Sequence, residues 1–168
     1  MGSRRRSREL AMQALFYMDN CNNNSEEMLE RFCSNFNPNE EILPFFYRLV
    51  RGVVFEGNEI DPIIERFSSN WKISRMSCVD RNIMRIAVYE LLWCSDIPSK
   101  VSINEAIDIG KKYGTGESGP FINGILDSVL DAMEKGSIKA KNPERISSEG
   151  TDNAVEIPGS KGSEVQTK

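Results

Sequence analysis

The sequence predicts an all-α protein of about seven helices in a domain over residues 1–136, with a polar, disordered tail over residues 137–168. Three observations predict it. Apolar residues recur at helical spacing through residues 4–134. Sustained apolar–polar alternation is missing, and the Asn123-Gly124 pair falls inside a helical pattern rather than between β-branched runs. Helix-start residues stand where several periodic stretches begin.

The first helix spans 4–21 and places Leu10, Ala11, Ala14, Met18 and Cys21 on one arc, which must face the core. Periodicity alone supports the helices at 25–36 and 40–56. Pro62 suits the first turn of a helix over 59–69, so Asn58–Asp61 separates it from its predecessor. The fifth helix, 77–94, opens on the capping pair Ser77 and Asp80 and runs Val79, Ile83, Ile86, Ala87 and Cys94 down its inner arc. Ser102 and Glu105 form a similar pair near the start of the sixth, 101–113. The seventh, 119–134, follows Ser118, takes Pro120 in its first turn and carries the stripe Ile122, Ile125, Leu126, Val129 and Met133. Beyond Gly136 the chain is Ser, Gly, Lys, Glu and Pro without a period, too polar to offset the entropy of ordering it.

Composition narrows the function. The 168 residues suit one domain, or two small ones sharing a core. Histidine is absent, which excludes Ser-His-Asp and Cys-His nucleophile systems, His-ligated zinc and histidine acid–base chemistry. Cys21, Cys33, Cys78 and Cys94 form no C-x-x-C pair, so they read as free thiols, most of them in or near the core. No metal, no cofactor and no enzymatic activity are expected. Without a signal peptide or a bilayer-length apolar run, the chain reads as soluble and cytoplasmic, with no membrane partner.

Charge is distributed unevenly. Residues 1–8 hold Arg4, Arg5, Arg6 and Arg8 and no acid, hence +4, so the remainder carries −8 within the net −4. A basic end on an acidic body suits a polyanion-binding arm, although a solvated tail has the same composition. Positive charge in a first turn opposes the helix dipole at about 0.3–1 kcal/mol each, and bound phosphate would relieve it. Met12 and Phe16 project away from the core arc of the first helix. Either that helix is buried on both sides, or the pair is a docking strip beside the arginines. Pattern alone favours burial.

Glu90 falls in the middle of the fifth helix's inner arc, where a carboxylate needs donors. A structural bond to a basic side chain or helix N-terminus outweighs a catalytic-acid role. Arg81 and Arg85 occupy the outer face, available to solvent, an acid or a phosphate. The loop Gly114–Gly119 lets backbone approach a ligand but has no P-loop spacing. Phe121, just after it, either stacks on an unpaired base or caps the core.

Four stretches then line up: Arg4-Arg5-Arg6-Ser7-Arg8-Glu9 with Ala14-Leu15-Phe16-Tyr17; Met84 through Leu91 (M-R-I-A-V-Y-E-L); Ile97-Pro98 with Val101 through Ile107 (V-S-I-N-E-A-I); and Phe121 through Asp127 (F-I-N-G-I-L-D). Their order and spacing resemble the NusB family of bacterial transcription antitermination factors over about residues 4–133. The resemblance implies two packed three-helix-type bundles. It implies a non-enzymatic role, binding boxA-type single-stranded RNA together with NusE, a ribosomal small-subunit protein, in an elongation complex that resists termination during ribosomal RNA synthesis. The family's basic arm maps to Arg4, Arg5, Arg6 and Arg8, and its RNA-side acid and aromatic map to Glu117 and Phe121. Its protein-docking face maps to Phe16, with Met12 beside it, and to Asp80. Two departures stand out: Gly119-Pro120 replaces a commonly basic position, and Glu117 stands where Asp is common.

Three alternatives remain. A NusB-like module also occurs at the N-terminus of ribosomal RNA cytosine methyltransferases, which would need a catalytic domain after it. A purely protein-binding helical scaffold would leave the arginines without a role. A homodimer through the Met12–Phe16 strip would compete with the partner protein.

Overall fold

The computed structural model describes residues 2–141, and the part of the expected tail from residue 142 onward lies outside them. Among the described residues there are no strands. Six helices follow one another: α1 (Ser3–Asn20), α2 (Glu26–Phe36), α3 (Leu43–Phe67), α4 (Cys78–Trp93), α5 (Ser99–Tyr113) and α6 (Ser118–Glu134), with a 3-10 turn at Ile73–Arg75.

The count is one short of the seven expected because α3 continues through Pro62. Asn58–Asp61 is helical. An interior proline costs about 3 kcal/mol, through a lost bond to the carbonyl four residues back. That carbonyl belongs to Asn58, and both residues lie on the exposed side, where water can satisfy it. On the opposite side Ile60 and Ile64 are fully buried, continuing the face of Phe46, Leu49 and Val53. At roughly 1.5–3 kcal/mol per buried side chain, those two isoleucines outweigh the proline.

The remaining elements follow their local chemistry. Ser25 caps α2 by accepting from the Met28 N–H, and Asn37 ends it in the left-handed region. Ser77 caps α4 in the same way, accepting from the Asp80 N–H at 3.0 Å. The pair Ser102 and Glu105 does not cap α5. That helix begins earlier, at Ser99 after Pro98, leaving Ser102 buried within it while Glu105 bonds to α1.

Helices α1–α3 and α4–α6 form the two expected three-helix groups, but α4 packs along α1 and α3 as well as α5 and α6. One continuous core results. Two glycines set helix separations. A Cβ on Gly52 would lie 2.1 Å from the Tyr89 ring, and one on Gly110 would lie 2.6 Å from Ile122, so α3 meets α4, and α5 meets α6, nearly backbone to side chain. Helix α1 is buried on two sides, with Leu10, Ala11 and Ala14 on one and Met12 on the other. Cys21, expected on its core arc, is exposed because the helix ends at Asn20. After α6 the chain stays on the fold through Lys141, whose N–H donates to the Leu92 carbonyl at 2.7 Å and whose ammonium pairs with Glu59 at 3.1 Å.

At the centre lies one buried ion pair. Arg8, 3% exposed, donates through Nε and Nη2 to Glu90, 1% exposed, at 2.7–3.1 Å. Burial pushes the Glu90 carboxyl up from its usual value even with Arg8 bonded to it. Removing one partner strands the other charge. Glu90→Ala should therefore lose about 3–5 kcal/mol in urea unfolding, whereas the paired apolar replacement Arg8→Met with Glu90→Leu should recover most of it. Equal losses in both variants would contradict this account.

Candidate nucleic-acid interface

The basic end is the first turn of α1, a helix that begins without a side-chain cap or an acid in that turn. Carboxylates from elsewhere compensate its charges. Arg5 donates to both oxygens of Glu105 at 2.8 Å and to Asp108 at 2.7 Å, both on α5. Arg6 lies 3.3 Å from Glu9, which also takes Lys112 at 2.8 Å. Arg4 approaches Asp96 only to 3.7 Å and lies over the Phe45 ring, 5.1 Å from its centroid.

These contacts revise the arm. Arg8 is no surface cation, since it is buried on Glu90 and cannot reach a phosphate from there. Arg4 and Arg6 stay exposed with loose partners, and Arg5 is half-engaged. The expected self-repulsion is answered by Asp96, Glu105, Asp108, Glu9 and Glu90 from within the fold. Arg81 and Arg85 have likewise found acids: both bond Asp19 at 3.0 Å, and Arg85 forks onto Asp61 at 2.8 and 2.9 Å. Burial would raise the Asp19 carboxyl, but bonds from Asn82, Arg85 and Arg81 hold it below its usual range.

Two concave surfaces flank the N-terminus of α4. The first is an apolar groove of about 370 Å³, with Phe16, Phe32, Phe36, Val79 and Tyr113 in its walls and Met12 contributing to its lining. Phe16 is 38% exposed, while Met12 is buried, so the exposed Met–Phe pair reduces to Phe16 alone. Met12 turns inward because α5 packs over that side of α1: it shares a small internal void with Ala106 and Ile109. Phe36, the groove's most exposed ring, stacks on Phe32 at 4.3 Å and escaped sequence reading because it sits at the last position of α2.

The second is a cleft of about 660 Å³ between the segment around Trp71–Ser77 and the loop before α6. Glu117 and Phe121, expected together, both line it, and so does Asp80. Asp80 thus stands with the RNA-side residues rather than with Phe16, while its neighbour Val79 lines the groove. Trp71, unmarked by any periodicity, is 50% exposed and meets Phe121 edge to face, 5.7 Å between centroids at 64°. Phe121 is half-buried against the core, so it both caps the core and presents a ring to the cleft.

The NusB family model matches residues 5–131. A transcription antitermination protein NusB of Desulfatibacillum aliphaticivorans is 59% identical over 129 residues, covering 77% of this chain and 90% of the relative. Its counterpart in Desulforapulum autotrophicum is 55% identical over 140 residues, covering 81% and 98%. Among solved structures, T. maritima NusB superposes with a TM-score of 0.68 at 37% identity, covering 80% of this chain and 97% of that one. A chain from a structure of the antitermination factors NusB and NusE in complex with double-stranded RNA gives 0.70 at 28% identity, covering 79% and 98%.

The Arg5 contact has a pH signature. Arg5's hydrogen bonds hold the Glu105 carboxyl below its usual value of 4.5. A depressed folded-state value means stability present above 4.5 and lost as pH falls through the lowered value. Arg5→Ala should therefore destabilise the fold at neutral pH, and its urea midpoint should converge on that of the parent well to the acid side of 4.5. Parallel curves with a constant gap would refute the linkage.

Proposed function

The chain belongs to the NusB family, and from that premise we propose that it is a cytoplasmic transcription antitermination factor. In this reading it holds boxA-type single-stranded RNA jointly with the ribosomal protein NusE, inside a transcription elongation complex, and performs no bond-making chemistry. The observation that carries the reading is the exposed Trp71–Phe121 pair in a cleft on the same small fold as two exposed arginines. Aromatic faces for bases and cations for phosphates are the two parts that unpaired nucleic acid requires.

Arg4 and Arg6 supply the first phosphate contacts. Arg5 joins by exchanging Asp108 or Glu105 for phosphate, and Arg8 acts indirectly, by fixing α1 on α4. Glu117, exposed on the loop, accepts hydrogen bonds from base amino or ribose hydroxyl groups. The partner protein meets the Phe16 groove, with Met12 beneath it as support, and a second copy of this chain would compete for the same surface. The related structure that holds NusB with NusE and RNA supports this division of roles.

Salt dependence separates RNA binding from a pure scaffold. Replacing Arg4 and Arg6 with Gln should flatten the log–log salt slope for a single-stranded boxA-like RNA by roughly 0.7 per contact. A slope near zero in the parent protein would favour the scaffold. Phe121→Ala should weaken RNA binding by about 1–3 kcal/mol with little change in melting temperature. Phe16→Ala should weaken only the gain in RNA affinity produced by NusE, read by anisotropy with and without the partner.

A further inference from the structure

We propose that the cleft between the Trp71–Ser77 segment and the Gly114–Phe121 loop takes one unpaired nucleobase bearing an exocyclic amino group, with Asp80 as the acceptor that selects it. This rests on the reading that the ligand is RNA, and adds which edge of which bases the site accepts.

The argument starts from an anomaly. Asp80 is 9% exposed, and its Oδ1 is shut off from water without any hydrogen-bond donor. The other deeply buried carboxylates are partnered: Glu9 by Arg6 and Lys112, Glu90 by Arg8. Position in the first turn of α4 accounts for a negative charge near Ser77, through the helix dipole. It does not account for burying an acceptor unmet, which is costly. The carboxylate belongs to the lining of the cleft, and rotation about Cβ–Cγ is soft enough to bring either oxygen toward an arriving donor.

The surroundings fit a base. Trp71 and Phe121, edge to face, make a corner in which a flat ring stacks on one wall and meets the other with its edge. Arg75 is exposed on the cleft lining, where it reaches a phosphate attached to that base. A carboxylate only accepts, so it favours the amino groups of cytosine, adenine or guanine. Uracil would turn carbonyl oxygens toward it on both sides of its single N–H. Cytosine and uracil stack alike and differ in that edge, so their comparison isolates Asp80.

The test uses the full chain and end-labelled oligocytidylate and oligouridylate of equal length. Anisotropy reads total binding, and tryptophan emission reads the cleft, because Trp93 is 3% exposed and Trp71 is half exposed. Oligocytidylate should bind at least about fivefold more tightly than oligouridylate and quench the emission. Asp80→Asn, whose amide offers both donor and acceptor, should bring the two within about twofold, and Trp71→Phe should abolish the quench while retaining binding. RNA binding with equal affinities, without quenching, or with a preference that survives Asp80→Asn would overturn the pocket and leave the RNA reading standing. Binding of neither oligomer, even with the partner protein present, would overturn both. An Asp80→Asn effect confined to partner-protein affinity would assign the cleft to a protein side chain and also overturn the proposal. The comparison of the two oligomers on the unsubstituted chain decides the matter even if a variant fails to fold.

Discussion

The bidentate bond between Arg8 and Glu90 is the constraint on which the arrangement of the other charges depends. Both groups are sealed from water, so each is tolerable only while the other is in place. That ties the first turns of α1 to the second half of α4 and points the preceding residues at α5 and at the connection after α4. Arg5 then meets Glu105 and Asp108, and Arg4 approaches Asp96. A stretch that composition alone presents as a loose basic tail becomes a turn of helix in a bracket of acids. Any phosphate arriving there exchanges with carboxylates rather than meeting bare cations.

Much of this could be read from the chain, and the misses share a cause. Helix faces were legible wherever one residue's neighbours lie three or four positions away, as along α4 and α6. Glu90's need for a basic partner was legible too, because a carboxylate on an apolar arc has few alternatives. Which base answers it was not, since Arg8 lies 82 positions away. The same distance hid the burial of Met12, which depends on α5 packing across α1. Pro62 misled because its local rule is sound, while two isoleucines on the far side of the helix outweigh it. Trp71 sits between helices, where no period marks a residue as important.

The start of α4 organises both candidate surfaces. Val79 and Asp80 are adjacent, yet one lines an apolar groove and the other a cleft with aromatic walls and charged groups. Successive helical residues project about 100° apart, so one turn of helix serves two faces. A protein contact and a nucleic-acid contact built on the same turn share their support, which gives a physical route for one to influence the other.

The fit of Gly52 against Tyr89 carries a historical implication. With a would-be Cβ 2.1 Å from the ring, the two positions occupy one volume between them. Lineages descending from a common ancestor can change either residue only in step with the other: a bulkier side chain on α3 demands a smaller one on α4. Divergence at this crossing should therefore proceed by paired replacement.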